Sequence, residues 1–539
     1  MKKILFTLLI IQYSLIIPRW SGQVVQAQVQ QEWVRRYPDT NTFTAGANAL
    51  ALDDSGNVYI AGSAGNVNFS TYCTVKYSSS GVQQWVAFYY GTNDGGRQAY
   101  AIAIDKFSNV YVTGGSYNDS SLFDYCTIKY NSSGVQQWVK YYDGSAHGID
   151  AATKIAVDNA GNVYVTGESS LGGYSFIYTT IKYSTEGMQL WVRSYGVGGT
   201  ETYARGIAVD DSCNVYVTGA NNSISPTYTN AVTIKYDSSG NQLWVQTYMV
   251  AEANSIALDK YNNICVCGFI PGLITHYDYL TIKYSSSGVQ QWVRRYNGDS
   301  TTYSDYEANS VDVDYIGNVY VSGFSSSDQG SAMKFCTVKY SCIGDLIWVR
   351  RDTDTLRSQN TFMTIDRNSS VYVTGSVSHL PSYSSYSTTK YDSSGSQKWG
   401  VEYNSQNGDS YPYCLKVDQN FNVLLTGGNG ASMITIKYSQ PVGIYVNKDF
   451  IPDKFELYQN YPNPFNPSTR FKIQIPKLSD VKIFIYDVLG KEVTILVNEQ
   501  LKPGNYEVEW NASEYPSGVY FYRLEAGDFV NTKKMVLVK

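Results

Sequence analysis

The sequence predicts an all-β fold: an eight-bladed β-propeller closed by its N-terminal strand, then a small Ig-like β-sandwich. Three observations predict it. Three short phrases recur eight times along the chain, at a period of about 50 residues. Each repeat breaks into four short β-like runs, which is the pattern of a propeller blade. Near the C-terminus the repeats stop, Pro becomes frequent, and alternating runs are separated by Gly-containing turns. A seven-bladed ring ranks second, because it leaves strand fragments unpaired.

Composition narrows the function. The chain has 539 residues, of which 43% are hydrophobic, 15% aromatic and only 16% charged. An average domain is about 25% charged. Such an aromatic content with a net charge of −5 excludes disorder over most of the chain. No nucleic acid partner is expected without a basic balance. Three His residues leave little room for a His-rich metal centre, and no metal or cofactor is expected.

The elements follow in order. Lys2 and Lys3 precede an apolar run from Ile4 to Ile17, and Val25-Gln26-Ala27 offers a cleavage site. Residues 1–27 therefore read as an export signal peptide. Its apolar run is short for a bilayer span. No later stretch is long and apolar enough, so no transmembrane segment is expected after its removal.

Residues 31–440 carry the repeats. A lone Trp strand, Glu32–Tyr37, comes first. The first repeat then runs through Ala49–Asp53, Val58–Gly62, Cys73–Tyr77 and Gln83–Phe88. The repeats end after Tyr438 without a Trp strand, so the N-terminal strand is expected to complete the last blade and remove its edge. From the repeated Asp (Asp53 to Asp418) to the Gly that ends its phrase is nine residues in every copy. From the Tyr of Thr-x-Lys-Tyr to the next Trp is always eight. The intervals between these blocks vary, from 15 to 22 and from 11 to 17 residues. In an antiparallel meander the fixed intervals form turns at one face of the disc and the variable ones form loops at the other. Binding residues concentrate on variable loops held by a rigid scaffold, so the variable face is the expected site.

The repeated residues read as scaffold. Each Asp is a turn carboxylate that accepts nearby backbone N–H groups. Each Lys, from Lys76 to Lys437, lays its stem across a sheet and pairs with a turn Asp. Each Trp packs between blades. Cys73, Cys126 and Cys336 share one slot that wants a small filler, and no structural disulfide is expected.

The candidate ligand-binding residues are Tyr89, Tyr90, Tyr117, Phe123, Tyr142, Tyr174, Tyr228, Tyr277, Tyr303 and Tyr306. They sit in variable stretches with Phe88, Tyr141 and Tyr383, among small polar residues. Flat amphipathic rings with polar neighbours suit adaptable protein recognition or stacking on sugars. The expected partner is an extracellular glycan or protein. His147, His276 and His379 also fall in variable loops, but no nucleophile, phosphate-loop or zinc motif accompanies them. No catalytic residue is assigned. The alternative is an extracellular polysaccharide hydrolase or lyase using loop acids among Asp299, Asp305, Glu307, Asp352 and Asp354. It requires two carboxylates, or a His and a carboxylate, about 5–10 Å apart near the central pocket.

Residues 441–456 read as a linker. Residues 457–539 read as a sandwich, with runs at Phe471–Ile475, Val481–Tyr486, Tyr506–Trp510, Val519–Leu524 and Lys534–Val538.

Two resemblances add to this. The unit AVDNAGNVYVTG, TTIKYSTEG, LWVRSY resembles the SBBP-type bacterial β-propeller repeat, usually described as seven-bladed and without a general biochemical activity. The blocks YQNYPNPFNPST, VKIFIYDVLGKEV, LKPGNYEVEW, PSGVYFYRL and KKMVLVK, at 458–539, resemble a type IX secretion C-terminal sorting domain of type A. That resemblance implies Sec export, then passage across a Bacteroidetes-type outer membrane by the type IX secretion machinery. It also implies removal of the tail, with the cargo released or attached to the cell surface.

Overall fold

The computed structural model describes residues 29–538, except 39–43, 66–68, 92–94, 121, 174, 197–199, 225–226, 273–275, 299–305, 328–331, 353–357, 380–382, 406–408, 441–443, 448–451, 502 and 513–514. The expected signal peptide lies outside them. Two compact units emerge, one spanning Val29–Ser439 and one containing Gln440–Lys539.

The first unit begins with β1 (Gln30–Tyr37), β2 (Thr44–Leu52), β3 (Val58–Gly65), β4 (Ser70–Tyr77) and β5 (Gln83–Tyr89). Strands β2 to β5 form an antiparallel sheet in chain order. The same four-strand order recurs down the chain, with inner strands starting at Arg97, Asp150, Thr200, Glu252, Tyr306 and Ser358. A single parallel bridge, Phe176 to Glu201, joins two of these groups into one larger sheet. The last sheet has three strands of its own, Tyr411–Val417, Val423–Gly428 and Met433–Ser439, and takes β1 as its fourth. Each inner strand contacts the next, and Tyr411–Val417 contacts β2, so the series closes on itself.

Local chemistry explains the repeated phrase. Asp53 Oδ1 accepts the amides of Ser55 and Asn57 at 3.0 and 2.9 Å, which folds the turn between β2 and β3. Its Oδ2 accepts from Asn57 Nδ2 and Tyr59 OH at 2.8 and 2.9 Å. β2 carries a bulge between Ala47 and Ala49. A Cβ on Gly62 would lie 2.0 Å from the Gly46 carbonyl oxygen beside that bulge, so no larger residue fits. The bulged Asn48 donates to the Ala99 carbonyl of the next inner strand at 2.8 Å. Thr153 and Asn254, at the same slot, do likewise to Ala204 and Ala308. One bulge thus fixes the turn spacing and ties neighbouring sheets.

The core lies between successive sheets. Tyr59, Ala61 and Tyr72 of the first pack with Ala99, Val110, Val112 and Ile128 of the second. All eight cysteines are free. Burial pushes the Cys336 thiol up to about 12 and raises Cys73, Cys126, Cys265 and Cys267 as well. Only the thiolate is nucleophilic. Iodoacetamide is therefore expected to alkylate the exposed Cys342 first, and these five only after unfolding. Mass mapping that finds Cys126 labelled early in the native protein would contradict this.

The second unit has two four-stranded sheets. One contains Ser468–Ile475 and Gly504–Asn511, the other Ser479–Tyr486, Gly518–Ala526 and Phe529–Leu537. Alternate residues such as Phe471, Ile473, Ile483, Tyr522, Leu524 and Met535 fill one core. Two departures from the sequence reading stand out. Ile444–Asn447, inside the expected linker, is a strand paired with Gly504–Asn511. Glu492–Leu501 is a further strand, paired with Ser479–Tyr486 through two register shifts.

Candidate functional site

The fixed face is saturated by its own repeats. Trp138 Nε1 and Lys129 Nζ both donate to the Thr185 carbonyl in the next sheet's turn, at 3.0 and 2.9 Å. Trp191 and Lys182 do the same to Ser238, and Trp348 and Lys339 to Ser393. This corrects the expected pairing of Lys with turn Asp, which occurs at Lys283 and Asp259, 3.0 Å apart. At Asp53, Asp105, Asp158, Asp210 and Asp314 the turn carboxylate is already occupied by Asn and Tyr donors, and the Lys stem crosses the Tyr ring, as Lys182 does over Tyr164 at 5.0 Å. Burial alone would raise the carboxyls of Asp53 and Asp158, but these hydrogen bonds outweigh it and hold both below their ordinary value. The repeated Asp residues are therefore spent on the fold.

The variable face differs from sheet to sheet. Tyr90 is 67% exposed, with Phe88 5.9 Å away. Tyr89 is half-buried and its hydroxyl meets that of Tyr141, which is 41% exposed. Tyr117 and Phe123 face each other edge-on at 5.6 Å across one hairpin. Tyr277 is half-buried, 4.9 Å from Phe269 and 4.0 Å from His276. Tyr142 packs edge-on against the buried Tyr125 at 5.5 Å. Tyr174 and Tyr303, with Asp299, Asp305 and Asp354, lie outside the described residues, as does the side chain of Tyr228.

Tyr306 is a correction. It is 1% exposed and packs edge-on against Tyr279 and Tyr296. Its slot, eight residues before the turn Asp, is also buried at Ala45, Arg97, Asp150, Thr202 and Ala251. Lining up the repeats by their Asp was the signal that could have found it. On the fixed face, Phe107, Tyr261 and Tyr315 are 66%, 67% and 76% exposed. Exposed aromatic area is therefore not confined to the variable side.

Two His–carboxylate pairs occupy the variable ends. His147 Nδ1 lies 2.6 Å from Asp143 Oδ2, and this contact raises the imidazole pKa. His379 Nε2 lies 2.6 Å from Glu402 Oε1 and 3.0 Å from Ser385 Oγ, while its ring stacks on Tyr383. Ser385 also donates to Glu402 and is fully buried. One imidazole nitrogen thus serves both partners, whereas a nucleophilic triad needs the acid on the other nitrogen. Asp124, Asp143 and Asp150 place carboxylate oxygens within 4.8 Å of one another, a cluster drawn from three separate segments that sequence reasoning missed.

The C-terminal unit, with its Pro-rich entry and paired sheets, decides the matter for the tail. Residues 459–539 match the secretion system C-terminal sorting domain. The sorting domain indicates export to the cell surface or secretion, and implies contact with the secretion machinery. Residues 137–171 and 190–223 match the beta-propeller repeat. Among the described residues no helix is long and apolar enough to cross a membrane. No curated protein matches the chain. Among solved structures, the Dos1 propeller aligns with 9% identity over 76% of this chain and 95% of its own, at a TM-score of 0.46. PorZ, a surface component of the type IX secretion system of Porphyromonas gingivalis, aligns with 11% identity over 92% and 81%, at 0.27. An ulvan lyase aligns with 10% identity over 68% and 95%, at 0.39. Their ligands and substrates are their own.

Proposed function

We propose that the chain is an exported eight-bladed propeller that binds an extracellular glycan or protein through its variable face. The sorting domain addresses it to the type IX machinery and is then removed. One contrast carries the reading. The repeated Asp, Lys and Trp of the fixed face spend their hydrogen bonds inside the fold, as Thr185 and Ser238 show. The variable ends keep polar groups open to solvent, including His147 at 68%, Glu402 at 46% and Tyr90 at 67% exposed. The polysaccharide-enzyme alternative needs an exposed acid pair; of the clustered carboxylates, Asp124 and Asp150 are 2% and 0% exposed, and Asp143 alone reaches solvent.

The test is a glycan and surface-protein binding screen with the full chain, followed by substitution. Tyr90→Ala and Tyr141→Ala are each expected to weaken binding about tenfold, the loss typical of one aromatic anchor. Tyr315→Ala, on the fixed face, is expected to leave it unchanged. The opposite ranking would move the site to the fixed face.

A further inference from the structure

We infer that Asp124, Asp143 and Asp150 form a calcium site that ties the second and third sheets together on the variable face. Asp124 lies on Leu122–Tyr130, the third strand of the second sheet. Asp150 opens the inner strand Asp150–Val157 of the third. Asp143 lies in the connection between the sheets. The chain returns to itself here, since Phe123 and Ile149 form a parallel bridge.

Two of these carboxylates are buried, Asp124 at 2% and Asp150 at 0% exposed. Among the described residues no Lys or Arg forms an ion pair with any of the three, and the one ion pair is His147 to Asp143. Asp150 is partly accommodated by the amides of Gly144 and Ser170, at 2.6 and 3.0 Å. Asp124 is not. Its Oδ2 accepts from Asn118 Nδ2 at 3.1 Å, while its Oδ1 is buried with no partner. A buried carboxylate oxygen left without a donor or cation costs free energy.

The repeats supply an internal comparison. Asp278 occupies the Asp124 slot in the fifth sheet and is likewise buried, at 5% exposed. There Arg295, three residues after Trp292, neutralises it at 2.7 Å. The matching position in the second sheet is Tyr141, whose hydroxyl is engaged by Tyr89. The fold thus provides a cation where this carboxylate stands alone. Where two more carboxylates join it, no Lys or Arg among the described residues does so, and His147 pairs with Asp143.

The donor set is all oxygen, which selects a hard cation. Calcium takes six to eight oxygens at about 2.3–2.6 Å, so ligands on opposite sides of the ion stand about 4.6–5.2 Å apart. Carboxylate oxygens that all lie within 4.8 Å of one another can therefore reach one such ion together. Magnesium is held less readily by such a cluster, because it demands near-octahedral geometry and gives up its waters reluctantly. Asp143 keeps one oxygen for the ion while Oδ2 holds His147. An extracellular module with few carboxylates binds calcium at about 10⁻⁴–10⁻³ M. The site stands on these residues whether or not a glycan binds the same face.

The experiment is calorimetric titration of the full chain with calcium chloride, paired with thermal unfolding. One saturable site is expected, with the Tm rising by about 2 °C at about 10 mM calcium. Asp143→Asn, at an exposed position, is expected to weaken binding at least tenfold. Asp124→Asn should do the same and leave the metal-free Tm unchanged or higher, because it relieves repulsion between carboxylates. No saturable heat with calcium up to about 10 mM, or binding that both variants leave intact, would overturn the proposal. Magnesium binding as tightly as calcium would overturn the choice of ion.

Discussion

Deleting residues 29–38 is expected to open the ring and to remove cooperative unfolding of the repeat unit. β1 supplies the fourth strand of the last sheet, paired from Gln30 with Ser439 to Tyr37 with Met433. It also adds hydrogen bonds from that sheet to the first one. Trp33, 7% exposed, donates to the Ser79 carbonyl at 3.3 Å, and Arg35 Nε donates to Gly81 at 2.5 Å. Lys437, paired with Glu32 at 2.9 Å, reaches the same Ser79 carbonyl at 3.0 Å. Without β1 the strand Met433–Ser439 becomes a bare edge, a template for association with another chain. Native stabilities are about 5–15 kcal/mol, and Trp33→Ala by itself is expected to cost about 3–5 kcal/mol. The truncated chain should elute as aggregate in size-exclusion chromatography, and Trp33→Ala should remain monomeric with a lowered denaturation midpoint. A truncated chain that stays monomeric and keeps its midpoint would show that the ring does not depend on this seam.

The sequence made the scaffold legible because its chemistry is copied. Eight Asp turns and eight Trp strands reveal themselves by spacing alone, and β1 was visible as a Trp strand without a repeat of its own. The partner of the repeated Lys was misread for a physical reason. Lys129 bonds Thr185, 56 residues away, which is about one period. A side chain that reaches into the next repeat looks, in sequence, like one that could pair within its own. The strand Glu492–Leu501 escaped because two register shifts break its two-residue alternation. Loop residues were the hardest to place. Tyr306 looked like a solvent-facing ring, yet its slot is buried across the repeats. The carboxylates of Asp124, Asp143 and Asp150 meet only because two sheets and their connection converge, a contact that spacing along the chain does not encode.

The second large effect belongs to one glycine of the turn between the third and outer strands. Gly240 sits at φ +82, and a Cβ there would stand 2.8 Å from Cδ2 of Trp191 in the preceding sheet. Gly430 has nearly the same backbone, φ +80, with nothing within 4 Å of its added Cβ. The pair separates two costs that are usually confounded. Gly430→Ala incurs only the left-handed backbone strain, about 1–2 kcal/mol. Gly240→Ala incurs that strain and must also displace a ring whose Nε1 holds the Ser238 carbonyl at 3.2 Å, so about 3 kcal/mol or more is expected. Indole fluorescence followed through urea denaturation reads both variants. If the two midpoints fall equally, the indole swings aside freely, and the repeated Trp is a filler between sheets. If Gly240→Ala falls further, as expected, the Trp–Gly contact is a fitted joint. The same joint is then set at Gly134 against Trp85, Gly187 against Trp138 and Gly81 against Trp33, which gives a physical reason why the interval from Tyr to Trp does not vary.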